Sequence, residues 1–192
     1  TDGTVDITQS FTITVADVND PPTFTSTPVT GATQDAFYSY TVITNDVDGD
    51  TVTLTGTTIP GWLTFDASTG VLSGTPLNAN VGNNSVVITA NDGTVDVIQT
   101  FTITVDNVNY PPTFTSTPVT SATQGQVYSY TVTTNDIDGE TVTLTGTTIP
   151  DWLSLDSGVL SGTPGNSDVG DNSVVITASD GTVDETQSFT IT

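Results

Sequence analysis

One block of sequence occurs twice and begins a third time, which restricts this chain to small units set in tandem. Residues 1–20, TDGTVDITQSFTITVADVND, return at 91–110 as NDGTVDVIQTFTITVDNVNY, an offset of 90, and the pattern starts again at Ser179. Between these blocks, Pro21–Asp66 and Pro111–Asp156 align without a gap and differ at 10 of 46 positions. The second copy then drops two residues, Asp66-Ala67-Ser68-Thr69-Gly70 becoming Asp156-Ser157-Gly158, and alignment resumes at an offset of 88. Two near-copies of about 90 residues fit two domains plus an incomplete piece, within the usual domain range of about 50–250 residues. Tyr38–Val42, Thr51–Thr55, Val86–Ala90 and Phe101–Val105 alternate apolar with small polar residues, the period-2 pattern of strands with one buried face. Asp48-Gly49, Thr69-Gly70, Gly74-Thr75-Pro76 and Asp92-Gly93 punctuate them. Thr alone supplies 44 residues, and Val, Ile, Phe and Tyr most of the remaining strand-forming content. The chain is expected to be all-β, with antiparallel sandwiches of about seven strands.

The repeats are joined by Asp17-Val18-Asn19-Asp20-Pro21-Pro22 and, altered, by Asn107-Val108-Asn109-Tyr110-Pro111-Pro112. Consecutive prolines donate nothing to a ladder and hold the chain extended, which marks a stiff boundary. The expected division is 1–20, the terminal strand and linker of a preceding repeat; 21–110, a first domain with its linker; and 111–192, a second domain. The start at Thr1, in mid-pattern and without Met, reads as a segment of a longer protein. Ser10–Val15 is expected to be a strand, either cut from a continuous array or donated to a neighbouring subunit by β-strand addition.

The 192 residues include 20 Asp and 2 Glu but no Lys, Arg or His, for a formal net charge of −22. No side-chain ion pair can form, and charge of this size opposes the compact state unless cations intervene. The absence of Cys removes disulfides, and the absence of Lys removes isopeptide cross-links. Bound metal is the staple that remains. Phosphate recognition rests on positive surface, so nucleic acid is not a partner. No apolar run approaches the length of a membrane span, so no membrane insertion is expected in this segment.

Several motifs resemble known repeats. Ile13-Thr14-Val15-Ala16-Asp17-Val18-Asn19-Asp20 is similar to the cadherin ending I-x-V-x-D-V-N-D. Asn45-Asp46-Val47-Asp48-Gly49 resembles the cadherin D-x-D motif, and Ala90-Asn91-Asp92-Gly93 its A-x-D-x-G. Pro60–Asp66 followed by Gly70–Pro76 is closer still to the dystroglycan-type cadherin-like and immunoglobulin-like repeats of large bacterial surface proteins. The resemblance covers nearly the whole chain and implies tandem immunoglobulin-like (cadherin-like) sandwiches in an elongated array.

In cadherins the D-x-D and A-x-D carboxylates meet the preceding linker and enclose calcium. Carried onto this chain, the resemblance implies a first metal site of Asp17, Asn19, Asp20, Asp46, Asp48 and Asp92. The second would use Asn107, Asn109, Asp136, Asp138 and Asp180. Calcium takes about 6–8 hard oxygen ligands in flexible geometry, which carboxylates, amides and carbonyls supply; magnesium, stricter and more strongly hydrated, fits less well. Gln34 and Gln124 stand near the position of the family's early Glu, and 78–84 carries no L-D-R-E, so one or two ions per junction are expected. Tyr110 replaces the acid at Asp20, so the first junction is expected to bind the more tightly.

Trp62 and Trp152 invite a reading as sugar platforms, but each follows Ile-Pro-x and precedes Leu, where these repeats carry a core aromatic. Tyr38, Tyr40, Tyr128 and Tyr130 read likewise as sheet residues. The sequon Asn83-Asn84-Ser85 is absent from the second copy and is taken as chance. With no His, Lys, Arg or Cys, a Ser nucleophile lacks its ordinary base and an oxyanion its cationic clamp, so no enzyme is expected. The expected function is a calcium-stabilised segment of an extracellular, secreted or cell-surface stalk, adhesin or filament, whose partners are neighbouring repeats or subunits. The alternative is a glycan-binding module that contacts surface polysaccharide.

Overall fold

The computed structural model describes residues 3, 4 and 6–192 and divides into two compact units, 1–106 and 107–192. In the first unit the strands are β1 (Thr23–Phe24), β2 (Gly31–Thr33), β3 (Tyr38–Thr41), β4 (Thr44–Asn45), β5 (Thr53–Thr58), β6 (Leu63–Asp66), β7 (Val71–Gly74), β8 (Gly82–Asn91) and β9 (Asp96–Asp106). They form a three-stranded sheet β3-β7-β6, a four-stranded sheet β2-β9-β8-β5 and a short β1-β4 ladder. Alternation decides which side chains turn inward. Tyr38 and Tyr40 of β3 and Leu72 of β7 meet Val86 and Ile88 of β8 and Ile103 and Val105 of β9 in one buried cluster. Each fully buried Leu, Ile or Val in it contributes roughly 1.5–3 kcal/mol through apolar area removed from water.

The second unit repeats this plan without a counterpart of β2, so that its larger sheet is the three-stranded β13-β16-β17, with β10 (Thr113–Phe114), β11 (Tyr128–Thr131), β12 (Thr134–Asn135), β13 (Thr143–Thr148), β14 (Leu153–Asp156), β15 (Val159–Gly162), β16 (Asn172–Ser179) and β17 (Asp184–Ile191). Its core is Tyr128, Tyr130, Val132, Leu153, Leu160, Val174, Ile176 and Ile191. Among the described residues no helix is long and apolar enough to cross a membrane.

Three details depart from the reading of the sequence. Every ladder is antiparallel except β2 with β9, which is parallel in the register Gly31↔Thr104 to Thr33↔Asp106. The strand expected from Thr51 starts at Thr53, because 46–52 is taken up by the acidic loop. Ser10–Val15 is irregular, with Phe11, Ile13 and Val15 at 77%, 75% and 86% exposure. Its copies pair with β8 and β16, and in this chain those edges already carry β9 and β17.

Two ladders assemble one end of each unit. Thr23↔Asn45 sets the prolines of the entering linker beside the loop that begins at Asp46, and Pro22 is fully buried there. Thr53↔Asn91 sets the far side of that loop beside the turn after β8. The second unit uses the equivalent pairs Thr113↔Asn135 and Thr143↔Ser179.

The β6-β7 and β14-β15 hairpins close more tightly than an alanine allows. A Cβ added to Gly74 would collide with the Trp62 carbonyl oxygen, and one on Gly162 with that of Trp152. Gly74→Ala is expected to cost the first repeat about 1–3 kcal/mol, since backbone atoms must shift to admit the methyl. Urea unfolding followed by Trp fluorescence checks this, with the second repeat as internal control.

Candidate metal centre

Each centre is built from three short pieces: the linker, the loop after β4 or β12, and the turn after β8 or β16. The loop comes first. Asp46 turns back on it, and its Oδ1 accepts the backbone N–H of Asp48 at 3.0 Å and of Asp50 at 3.2 Å. Asp136 does the same for Asp138 at 2.9 Å and Glu140 at 3.4 Å. A carboxylate accepting N–H groups two and four residues on is an Asx-type turn, and the left-handed Gly49 and Gly139 (φ +82° and +80°) complete it. The turn after β8 is made similarly: Asp92 Oδ1 accepts the N–H groups of Thr94 and Val95, both at 2.7 Å. Asp180 Oδ1 accepts those of Thr182 at 2.6 Å and Val183 at 2.7 Å.

The linker is then tied to both pieces. The Asn19 amide donates to Asp92 Oδ2 at 3.0 Å, and the Asp20 backbone N–H donates to Asp48 Oδ2 at 2.6 Å. In the second unit Asn109 donates to Asp180 Oδ2 at 2.9 Å, and the Tyr110 N–H to Asp138 Oδ2 at 2.6 Å. Position 20 or 110 is thus clamped through its main chain, whatever its side chain.

These bonds leave some oxygens over. Asp46 Oδ2, Asp136 Oδ2 and Asp138 Oδ1 are buried and have no hydrogen-bond partner. A buried, unpaired carboxylate oxygen is costly, and a cation is what such an atom fits. In the first unit one oxygen from each of Asp46, Asp48 and Asp50 lies within 4.8 Å of the others. In the second the trio is Asp136, Glu140 and Asp180, again within 4.8 Å. All donors are hard oxygens, as calcium requires.

Electrostatics follow from the same contacts. The Asn19 amide, followed by the Val95 N–H, holds Asp92 below the ordinary carboxylate value. For Asp180 the Val183 N–H leads and the Asn109 amide follows. Glu140 moves the other way: loss of solvent, then the charges of Asp136, Asp138 and Asp180, push its carboxyl up.

Of the residues singled out from the sequence, the structure gathers Asn19, Asp20, Asp46, Asp48 and Asp92 at the first end, and Asn109, Asp136, Asp138 and Asp180 at the second. Asp17 and Asn107 are exposed in the linkers, outside the hydrogen-bonded clusters. Sequence reasoning missed Asp50 and Glu140. The signal was available, since an acid stands two residues past the D-x-D pair in both copies. Trp62 and Trp152 pack edge-on against Tyr38 and Tyr128 with ring centroids 5.7 and 5.8 Å apart. Their indole N–H groups donate to Asn84 and Asn172, both at 3.0 Å, so both rings are tied into the cores.

Residues 21–106 and 111–192 each match the Putative Ig domain family, and the chain belongs to it as a tandem pair. Over 150 residues it is 33% identical to the Serine-rich adhesin for platelets of Staphylococcus aureus (strain MRSA252), a match covering 74% of this chain and 10% of that protein. The chain spans a tenth or less of the length of the curated relatives it matches. Among solved structures it is similar to human protocadherin-24 EC1-2, at 16% identity and a TM-score of 0.52, covering 91% of this chain and 99% of that one. That likeness shows a cadherin-like fold. An endo-fucoidan hydrolase from glycoside hydrolase family 107 is 33% identical over 88% of this chain and 28% of its own, but its TM-score of 0.42 carries no argument about function.

The opposed shifts predict opposed mutants in chelator. The depressed Asp180 carboxyl contributes stability that is present above its ordinary value of 3.8 and is lost as pH falls through its lower folded value. The raised Glu140 carboxyl contributes only below its ordinary 4.5, a contribution lost as pH rises through its folded value. At pH 7 without divalent cations, Glu140→Gln should therefore raise the thermal midpoint of the second repeat and Asp180→Asn lower it. Scanning calorimetry at pH 7 and pH 3 checks the sign, because the Glu140→Gln gain should vanish at the lower pH.

Proposed function

We propose that this pair of immunoglobulin-like domains is a spacer segment of an extracellular, surface-attached or secreted adhesin or stalk protein, with a calcium ion at each linker stiffening the array. The observation that carries the reading is the set of buried oxygens without partners, Asp46 Oδ2, Asp136 Oδ2 and Asp138 Oδ1, lying where each linker is tied down. The similarity to part of a platelet adhesin and the cadherin-like fold support the same reading.

Calcium would supply the positive charge that 22 acids and no bases otherwise lack. Asp46, Asp48 and Asp92, with Asn19 and Asp20 of the linker, would hold it in the first repeat; Asp136, Asp138 and Asp180, with Asn109, in the second. The chain's own part is structural. Backbone N–H groups orient one oxygen of Asp46, Asp92, Asp136 and Asp180, which fixes where the other points. Without a cation the gathered carboxylates repel, by about 1 kcal/mol per pair at 4 Å in bulk water and by more at a protein surface. The natural relief is for the linker to come away while the apolar cores stay intact.

Chelation should accordingly loosen the linkers before the domains unfold. Small-angle scattering with calcium and with chelator is the test. The maximum dimension and flexibility are expected to change while far-ultraviolet circular dichroism stays constant, and identical scattering in both conditions would sink the proposal.

A further inference from the structure

The two centres part company at the acid that follows each Asp-Gly step, Asp50 in the first repeat and Glu140 in the second. Main-chain placement there is common to both. The N–H of each donates to the leading aspartate of its loop, and the ladders beside the loops, Thr53↔Asn91 and Thr143↔Ser179, occupy equivalent positions. The side chains gather different partners. Asp50 groups with Asp46 and Asp48, whereas Glu140, one methylene longer, groups with Asp136 and with Asp180 of the turn after β16. Correspondingly, two buried oxygens lack partners in the second repeat, on Asp136 and Asp138, against one in the first, on Asp46.

We infer that Asp50 and Glu140 are cation ligands, and that Glu140 bridges the second centre from loop to turn, so that this repeat binds its cation at least as tightly as the first. The inference rests on the calcium reading above. It reverses the ranking that follows from the linkers alone, where Tyr110 stands in place of Asp20. Two structural facts remove the force of that ranking. Position 20 or 110 is held by its backbone N–H in both repeats. Glu140 reaches Asp180 of the turn whereas Asp50 stays within its own loop, so the second trio ties two separate pieces of chain into one ligand set, and calcium affinity depends on site rigidity as well as ligand charge.

The test is calcium titration calorimetry on the full chain, previously stripped with chelator, as wild type and as the variants Glu140→Gln, Glu140→Asp and Asp50→Asn. Asp46→Asn and Asp136→Asn mark which class of site belongs to which repeat. Glu140→Gln is expected to weaken the class that Asp136→Asn marks as the second repeat's by roughly tenfold or more, as loss of a ligand charge should, and to leave the other unchanged. Glu140→Asp should bring the second repeat down to the affinity of the first, and Asp50→Asn should weaken only the first. Circular dichroism in chelator confirms that each variant is folded, and both exposed positions tolerate an isosteric amide. A Glu140→Gln chain that titrates as wild type, or a second repeat that proves the weaker binder, overturns the inference while leaving the calcium reading standing. A wild type that binds no calcium overturns both.

Discussion

Counter-charge is the constraint on which the rest of this structure depends. A chain with 22 carboxylates and no Lys, Arg or His must meet those charges with neutral donors, backbone N–H groups foremost among them. The fold spends them at one end of each repeat. Asp46, Asp92, Asp136 and Asp180 each draw two main-chain N–H groups onto a single oxygen, which shapes the loop and leaves the companion oxygen for something else. In Asp92 and Asp180 that companion holds the linker amide; in Asp46 and Asp136 it is buried without a partner. One residue type thus does two jobs, turn-former and anion, and the second job needs the first to be done.

The sandwich supplies the rigid frame. The linker, the acidic loop and the turn are far apart in sequence, Asn19 and Asp92 being 73 residues apart, and only the cross-strand registers unite them. Moving either ladder by one residue would turn side chains to the opposite face and carry the carboxylates out of reach of one another. The tyrosines of β3 and β11 serve the same end. Tyr38 and Tyr128 are buried in the cores while their hydroxyls bond the carbonyls of Val29 and Val119 at 2.7 Å, tying the segment that follows the linker to the sheet.

Much of this was legible in the sequence, for physical reasons that differ from element to element. The strands announced themselves because a half-buried strand must alternate, and Tyr38-Ser39-Tyr40 and Phe101–Val105 do so without exception. The D-x-D and A-x-D pairs were legible because two related copies display them in the same order. Asp50 and Glu140 were passed over because an acid after Asp-Gly reads as ordinary turn chemistry until the fold brings Asp180 beside Glu140. The parallel β2-β9 pair left no trace in Gly31-Ala32-Thr33, a stretch too short and too small to show a period. Ser10–Val15 carried a strong strand pattern and is irregular, since pattern supplies a face and only a neighbouring edge supplies a ladder.

The clamp at Asp20 and Tyr110 separates two things that a motif usually welds together. Because the bond to Asp48 or Asp138 is made by the peptide nitrogen, any residue except proline can occupy this position and keep the linker fastened. An acid and an aromatic stand there in neighbouring repeats of one chain. Fastening through the peptide nitrogen asks for no particular side chain, so the two repeats keep the same clamp while one sets an acid beside its acidic loop and the other an aromatic ring.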